Sequence, residues 1–188
     1  SITAVDSIAS QRLMDEVKTY PVIDEYRVYA FRHLDNRFVG IFFPESWSYE
    51  WIEAWFPGTT WNPDRFAAKP AMMGDHEEYW GRTTYPEVGG CYYSCRLAVC
   101  EQLVREKRQA AVLVLREIHP GYILPVGVWN VRESVRAMVR QKPARFDTLR
   151  EALGHAMSHL TIPLREWIKH SWMLRRVLHQ KRITEFLV

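Results

Sequence analysis

The last nine residues hold the sharpest pattern in the chain. Gln180, Ile183, Phe186 and Leu187 set a glutamine, an aliphatic residue and an aromatic–aliphatic pair at spacings of three, three and one. One helical turn gathers Ile183, Phe186 and Leu187 into a three-pronged apolar plug, with Gln180 beside it for a small polar pocket. The same spacings also suit the last apolar positions of a helix packed on the core. A second group could do hydrolysis. Asp75 opens the acidic cluster Asp75-His76-Glu77-Glu78, and Arg116, Glu117 and His119 leave the end of an apolar strand. Carboxylates gathered there could hold Mg²⁺ or Mn²⁺ for phosphodiester cleavage. The other reading is a structural Arg116–Glu117 ion pair at the sheet rim and a solvated acidic cluster, and no motif assigns roles to Asp75, Glu117 or His119.

Arg132, Arg136 and Arg140 recur at intervals of four on one helix, and Lys142 extends the stripe. A basic stripe reads phosphate charge rather than base sequence, and Trp61, Tyr79, Trp80 and Tyr85 could stack on unpaired bases. Surface ion-pair networks use the same residue types. Cys91, Cys95 and Cys100 lie four and five apart on one helix without a paired knuckle, so they read as small residues of a packed helix and no metal site is expected. His155 and His159, one turn apart, read as solvent-facing. Gly89-Gly90 at the start of a helix could offer backbone amides to a phosphate, although a helix-start turn explains the pair as well.

These residues need elements to hold them. Ile2, Val5, Ile8, Leu13 and Val17 predict a first helix that Pro21 ends. Tyr26–Phe31 and Arg37–Phe43 predict a β-hairpin turning at Leu34-Asp35-Asn36. Ser46 is placed to cap a short helix reaching Trp55, and residues 57–90 show no sustained period and read as one long loop. A helix over Cys91–Lys107 precedes a buried strand over Ala110–Ile118. Tyr122–Val128 reads as a second strand, at an edge because of Pro125. Three helices follow, capped by Asn130, by Asp147 and by the first-turn Pro163, the last running through Leu178. The expected class is α+β: a small mixed sheet, made of the hairpin and the central strand, surrounded by helices, with a helical C-terminal third. Residues 1–179 are expected to form one domain and 180–188 a tail.

Length and composition fit one globular domain: 188 residues, 47% hydrophobic and 25% charged. No apolar run approaches the roughly 18 residues of a membrane span. The chain begins at Ser1 with neither an initiator Met nor a leader and reads as a piece of a longer protein, and its odd number of cysteines reads as intracellular. The net charge of +3 hides an asymmetry. Residues 1–90 carry 8 basic and 14 acidic side chains, and residues 91–188 carry 17 and 8. Either the basic half faces an anionic partner or the two halves pack on each other.

The tail pattern resembles the short motif by which replication and repair proteins bind the sliding clamp PCNA, and clamp binding is the reading favoured for Gln180, Ile183, Phe186 and Leu187. Three longer stretches, Gly89–Val99, Lys107–Ile118 and Gly127–Glu133, resemble the archaeal Nre (novel repair) proteins, as do Trp55–Thr59 and Trp61–Pro63. The resemblance runs from about Asp24 to the end and covers the C-terminal part of such proteins, without the upstream region that can carry a cysteine-rich metal site. It implies an archaeal DNA-damage-response protein working with PCNA, in the cytoplasm at the nucleoid, with no cofactor in this chain and no catalytic residues to carry over. Contact with DNA through Arg132, Arg136, Arg140 and Lys142 is expected beside it. The rival readings are a metal-dependent nuclease acting on damaged DNA, with Mg or Mn, and a non-catalytic adaptor.

Overall fold

The computed structural model describes residues 1–123 and 126–185, the last six as helix backbone. Its centre is one mixed sheet of six strands: β1 (Tyr26–His33), β2 (Asn36–Phe43), β3 (Ser48–Trp55), β4 (Ala71–Glu77), β5 (Ala111–Ile118) and β6 (Ala144–Phe146). They lie in the order β4-β3-β5-β2-β1-β6, and β3 with β5 is the parallel pair. Helices α1 (Ile2–Val17), α2 (Gly90–Glu106) and α3 (Gly127–Val139) cover one face, and α4 (Leu149–Ser158), α5 (Leu164–His170) and α6 (Trp172–Glu185) cover the other. The class is α+β.

Alternation along the strands builds the two layers. Tyr49, Trp51, Phe38, Phe42, Val112 and Val114 meet the first helical layer, and Ile52, Ala54, Val39, Ile41, Leu113 and Leu115 meet the second. β5 is therefore apolar on both sides, as its unbroken Ala-Val-Leu-Val-Leu run predicts. The predicted hairpin forms, with Leu34 and Asp35 both left-handed (φ 50° and 57°), the geometry of a tight two-residue connection. Asn36 belongs to β2 and is buried. The stripe Val131, Val135, Met138 and Val139 is buried as its spacing predicts.

Several expectations fail for identifiable reasons. Residues after Ser46 form β3 rather than a helix, because all eight positions of β3 are buried between two helical layers and its aromatics alternate with period two. The long loop contains β4, an edge strand paired to β3. Gly127 and Val128 are the first turn of α3 rather than the end of a strand, and residues 124–125 lie outside the described residues. Asn130 therefore sits inside α3, buried, instead of capping it. Thr148 rather than Asp147 caps α4, accepting from the Glu151 N–H. The last helix is two: Ser171 ends α5, and its Oγ accepts from the Leu174 N–H to begin α6.

The break at Ser171 has a cause in the sheet. Glu50 of β3, 2% exposed, accepts from Ser171 Oγ (2.6 Å), Trp172 N (2.7 Å) and Met173 N (3.0 Å). A carboxylate thus satisfies the orphan amides at the start of α6 and meets the positive end of its dipole. Glu117 of β5 plays the same part for the α4–α5 connection. It accepts from Thr161 N and Ile162 N (both 2.8 Å), Thr161 Oγ1 (2.7 Å) and the His119 ring (3.1 Å).

Glu50→Ala should cost about 2–4 kcal/mol in denaturant unfolding, because it strands two buried donors and a third that is part-buried, while Glu50→Gln should cost less than half as much. Burial alone would raise the Glu117 pKa, but the His119, Ile162 and Thr161 donors win and hold it below the usual 4.5. A depressed carboxylate stabilises the fold above its unfolded pKa, and that contribution is lost as pH falls from about 4.5 through the folded value. The melting temperature of Glu117→Gln should therefore fall less steeply than the parent's below pH 4.5, with the two slopes equal above it.

Candidate functional site

The carboxyl ends of β3 and β5 open onto a cavity of about 580 Å³ on the α1–α3 side of the sheet. Parallel strands present their carboxyl ends to ligands in many open sheets, because the chain must leave the sheet there and the following helices splay apart. Arg116, 1% exposed, forms its floor. Asn36 Oδ1 accepts from Arg116 Nε (2.8 Å), and Glu53 Oε1 accepts from Nη1 (3.4 Å). Nη2 has no hydrogen-bond partner among the described residues. The guanidinium lies 5.3–5.5 Å from the ring centres of Phe38, Trp55 and Tyr122. Glu53 is occupied in turn by the Trp51 indole N–H (3.0 Å) and the Trp55 indole N–H (2.9 Å). Cys91 stands on the wall, and burial, reinforced by the Glu53 carboxylate, pushes its thiol pKa well up, so it is no nucleophile at neutral pH.

The residues expected to cut DNA are not brought together. Arg116 and Glu117 point to opposite faces of the sheet, so they form no pair. Asp75 lies on the first face, where Arg82 grips both its oxygens (2.6 and 2.7 Å) and Glu87 N adds a third bond. Burial opposes ionisation of Asp75, but the Arg82 and backbone bonds hold its pKa below the ordinary value. Glu117 and His119 bond each other on the second face, with the His119 ring stacked on Phe56. Among the described residues no three His, Cys, Asp or Glu side chains are placed to hold a metal ion. Cys95 and Cys100 are buried in the core, and Cys91 is half-buried. His155 and His159 are half-buried rather than solvent-facing, with their Nε2 atoms 3.2 Å apart.

The basic stripe divides. Arg132 bonds the buried Asp6 (2.7 Å), and Arg136 bonds Glu101 through two nitrogens (2.8 and 2.6 Å) and Glu133 (2.8 Å). The side chains of Arg140 and Lys142 are exposed, with no hydrogen bond or ion pair among the described residues. Of the loop aromatics, Trp61, Trp80 and Tyr85 stand in solvent, whereas Tyr79 is half-buried under Lys18. In the tail pattern Gln180 and Ile183 lie on the α6 backbone, while Phe186 and Leu187 fall outside the described residues. Among the described residues no helix is long and apolar enough to cross a membrane.

Sequence reasoning singled out Arg116 for its place at the end of β5 but missed Asn36, Glu53, Trp55 and Tyr122 around it. Glu53 carried the one available signal: a carboxylate flanked at two residues on either side by tryptophans whose N–H groups it can collect.

Comparison with known proteins gives the lineage. The family description "Archaeal Nre, C-terminal" matches residues 77–186, and "Archaeal Nre, N-terminal" matches residues 1–62. The likeness therefore begins well before Asp24 and is not confined to the C-terminal part. The DNA repair protein NreB of Archaeoglobus fulgidus is 46% identical over 187 residues, which is 100% of this chain and 47% of that protein. The DNA repair protein NreA of Haloferax volcanii is 37% identical over 174 residues, 92% of this chain and 41% of that protein. The A. fulgidus DNA repair protein NreA is 36% identical over 168 residues, 89% and 41% of the two chains. The chain thus spans less than half the length of these relatives. No solved structure matches it. With the C-terminal family pattern covering more than half of its residues, the chain belongs to the archaeal Nre family.

Proposed function

We propose that this chain is the folded body of a DNA-repair protein, held at the sliding clamp PCNA by Gln180, Ile183, Phe186 and Leu187. The relatives' names supply the process. The observation that carries the clamp reading is a change of pattern along α6, where the apolar stripe gives way in the sequence to Lys181 and Arg182 before Ile183, Phe186 and Leu187. Met173, Leu174 and Val177 are buried against the sheet and Leu178 is partly buried, and the motif begins two residues later. A stripe continuing that of Val177 and Leu178 would place apolar residues at 181 and 185, where the sequence has Lys181 and Glu185. Contact with DNA would fall to Arg140 and Lys142, whose charges are unspent, and to the exposed Trp61, Trp80 and Tyr85. The clamp gives such a protein residence at replicating or repaired DNA; the unpaired cations give it a sequence-independent grip.

Deleting residues 180–188 should abolish PCNA binding in calorimetry and leave the melting temperature within about 2 °C of the parent. Phe186→Ala combined with Leu187→Ala should do the same without shortening the chain. A deletion that unfolds the domain would show the segment to be core and sink the clamp reading. Lys142→Ala and Arg140→Ala should each weaken binding to single-stranded DNA evenly across sequences and reduce the log–log salt slope by about 0.7 per lost phosphate contact. Arg136→Ala should leave that slope unchanged, because Glu101 and Glu133 already hold its charge.

A further inference from the structure

The floor of the cavity at the ends of β3 and β5 holds a buried cation with one nitrogen unused, and two helices begin on its walls. Gly89 and Cys91 bring the first turn of α2 to the cavity, and Gly127 and Val128 bring the first turn of α3. Neither helix has a side-chain N-cap. Both are long enough, at 17 and 13 residues, for their terminal amides and dipoles to favour an anion. The backbone at both starts leaves room for a ligand. Gly89 and Gly127 have φ of +68° and +24°; a Cβ on Gly127 would meet nothing within 4 Å, and one on Gly89 only the Tyr85 hydroxyl at 3.9 Å.

Arg116 Nη2 is the independent sign. A guanidinium nitrogen sealed from solvent with its protons unbonded costs free energy that an acceptor would recover. Its neighbours fix the charge balance. Glu53 is turned to the two indoles and to Nη1, and the other carboxylate on the lining, Glu87, is exposed at the mouth. The remaining walls are flat and apolar. Trp55 and Trp61 pack edge to face, Tyr122 covers Arg116, and Trp61 is 64% exposed, so its ring is free to take a stacking partner.

We propose that this cavity binds a nucleoside monophosphate, with the phosphate at Arg116 and the starts of α2 and α3 and the base against Trp61 and Trp55. The volume, about 580 Å³, lies within the ordinary range for small-ligand pockets. The same chemistry arrives in two forms, as a free mononucleotide or as the 5′-phosphorylated end of a DNA strand. The proposal does not rest on the clamp reading, and none of the described lining residues lies on α6.

The test is titration of the ¹⁵N-labelled chain with thymidine 5′-monophosphate, thymidine, inorganic phosphate, and an oligothymidylate with and without a 5′-phosphate. The amides of Gly89, Gly90 and Gly127 serve as reporters. Saturable shifts at these glycines with the monophosphate or the phosphorylated oligomer, stronger than with thymidine or phosphate alone, are the expected result. Whichever of the two binds identifies the natural source. Arg116→Met should weaken binding roughly tenfold or more, the loss expected for one charged hydrogen bond. If Arg116→Met lowers the melting temperature, two variants outside the core replace it. Trp61→Ala removes the stacking face, and Val128→Asp sets a carboxylate against the phosphate in a helix turn that tolerates acids. Each should weaken binding several-fold with unchanged melting. No saturable shift at about millimolar ligand, or binding indifferent to Trp61→Ala and Val128→Asp, would overturn the proposal, and thymidine binding as tightly as its phosphate would remove the anion from it.

Discussion

The layers of this domain are fastened together by carboxylates that the sheet sends into its own helices. Glu50 of β3, Glu77 of β4 and Glu117 of β5 do this, whereas Glu53, three residues on from Glu50 and facing the other way, collects its donors from β3 and β5 themselves. Each is at most 3% exposed and each collects several donors. Glu77 takes Arg96 Nη1 (2.6 Å), the Tyr92 hydroxyl (3.1 Å) and the Trp47 indole, and Arg96 then reaches Ser7 and Ser10 of α1. Two helices are thereby tied to one strand through a single buried anion. A buried charge is expensive, and it is kept only where its lone pairs are filled, so each glutamate dictates the position of whatever fills them. Apolar packing tolerates small slips between layers; a carboxylate with three or four fixed donors does not.

That constraint explains which parts of the chain could be read in advance. The hairpin, α2, β5 and the buried stripe of α3 are local patterns, and their residue types and spacings declare them. β3 is a different case, because Glu50 and Glu53 at a spacing of three imitate the polar side of a helix. Against that stands the period-two run of Tyr49, Trp51 and Trp55, and the donors that decide for the strand at Glu50 lie 121 to 123 residues downstream. The break at Ser171 is hidden for the same reason, since the sequence 164–178 is periodic throughout and the interruption is imposed by Glu50. In the cavity, Arg116 could be singled out from its place at the end of β5. Asn36 and Glu53 come from neighbouring strands by register, and register is a property of the assembled sheet.

The uneven distribution of charge acquires a structural reading too. Arg96, Arg116, Arg132, Arg145 and Arg176 of the basic half bond Glu77, Glu53, Asp6, Glu25 and Glu45 of the acidic half. Much of the asymmetry is therefore two complementary portions of one chain neutralising each other across the fold. What remains for an outside anion is spread over the surface: among the described residues of the basic half, Lys107, Arg108, Arg140, Lys142 and Arg150 are exposed without an ion pair, and Arg116 keeps one nitrogen unused.

The capping of α6 by Glu50 has a consequence for how the protein is made. β3 leaves the ribosome well before Ser171, Trp172 and Met173, which follow Glu50 by 121 to 123 residues. Until they leave the ribosome, Glu50 has no donors, and Ile52, Leu113 and Leu115 lack the helices that roof them. A nascent chain arrested anywhere between β5 and α6 would hold a half-covered sheet with a bare apolar face and an unsatisfied anion at its centre. Such a species is prone to capture by other chains. Translation through α6 is thus the step that commits this domain, and α4 to α6 are what make the sheet formed before them safe to expose to the cell.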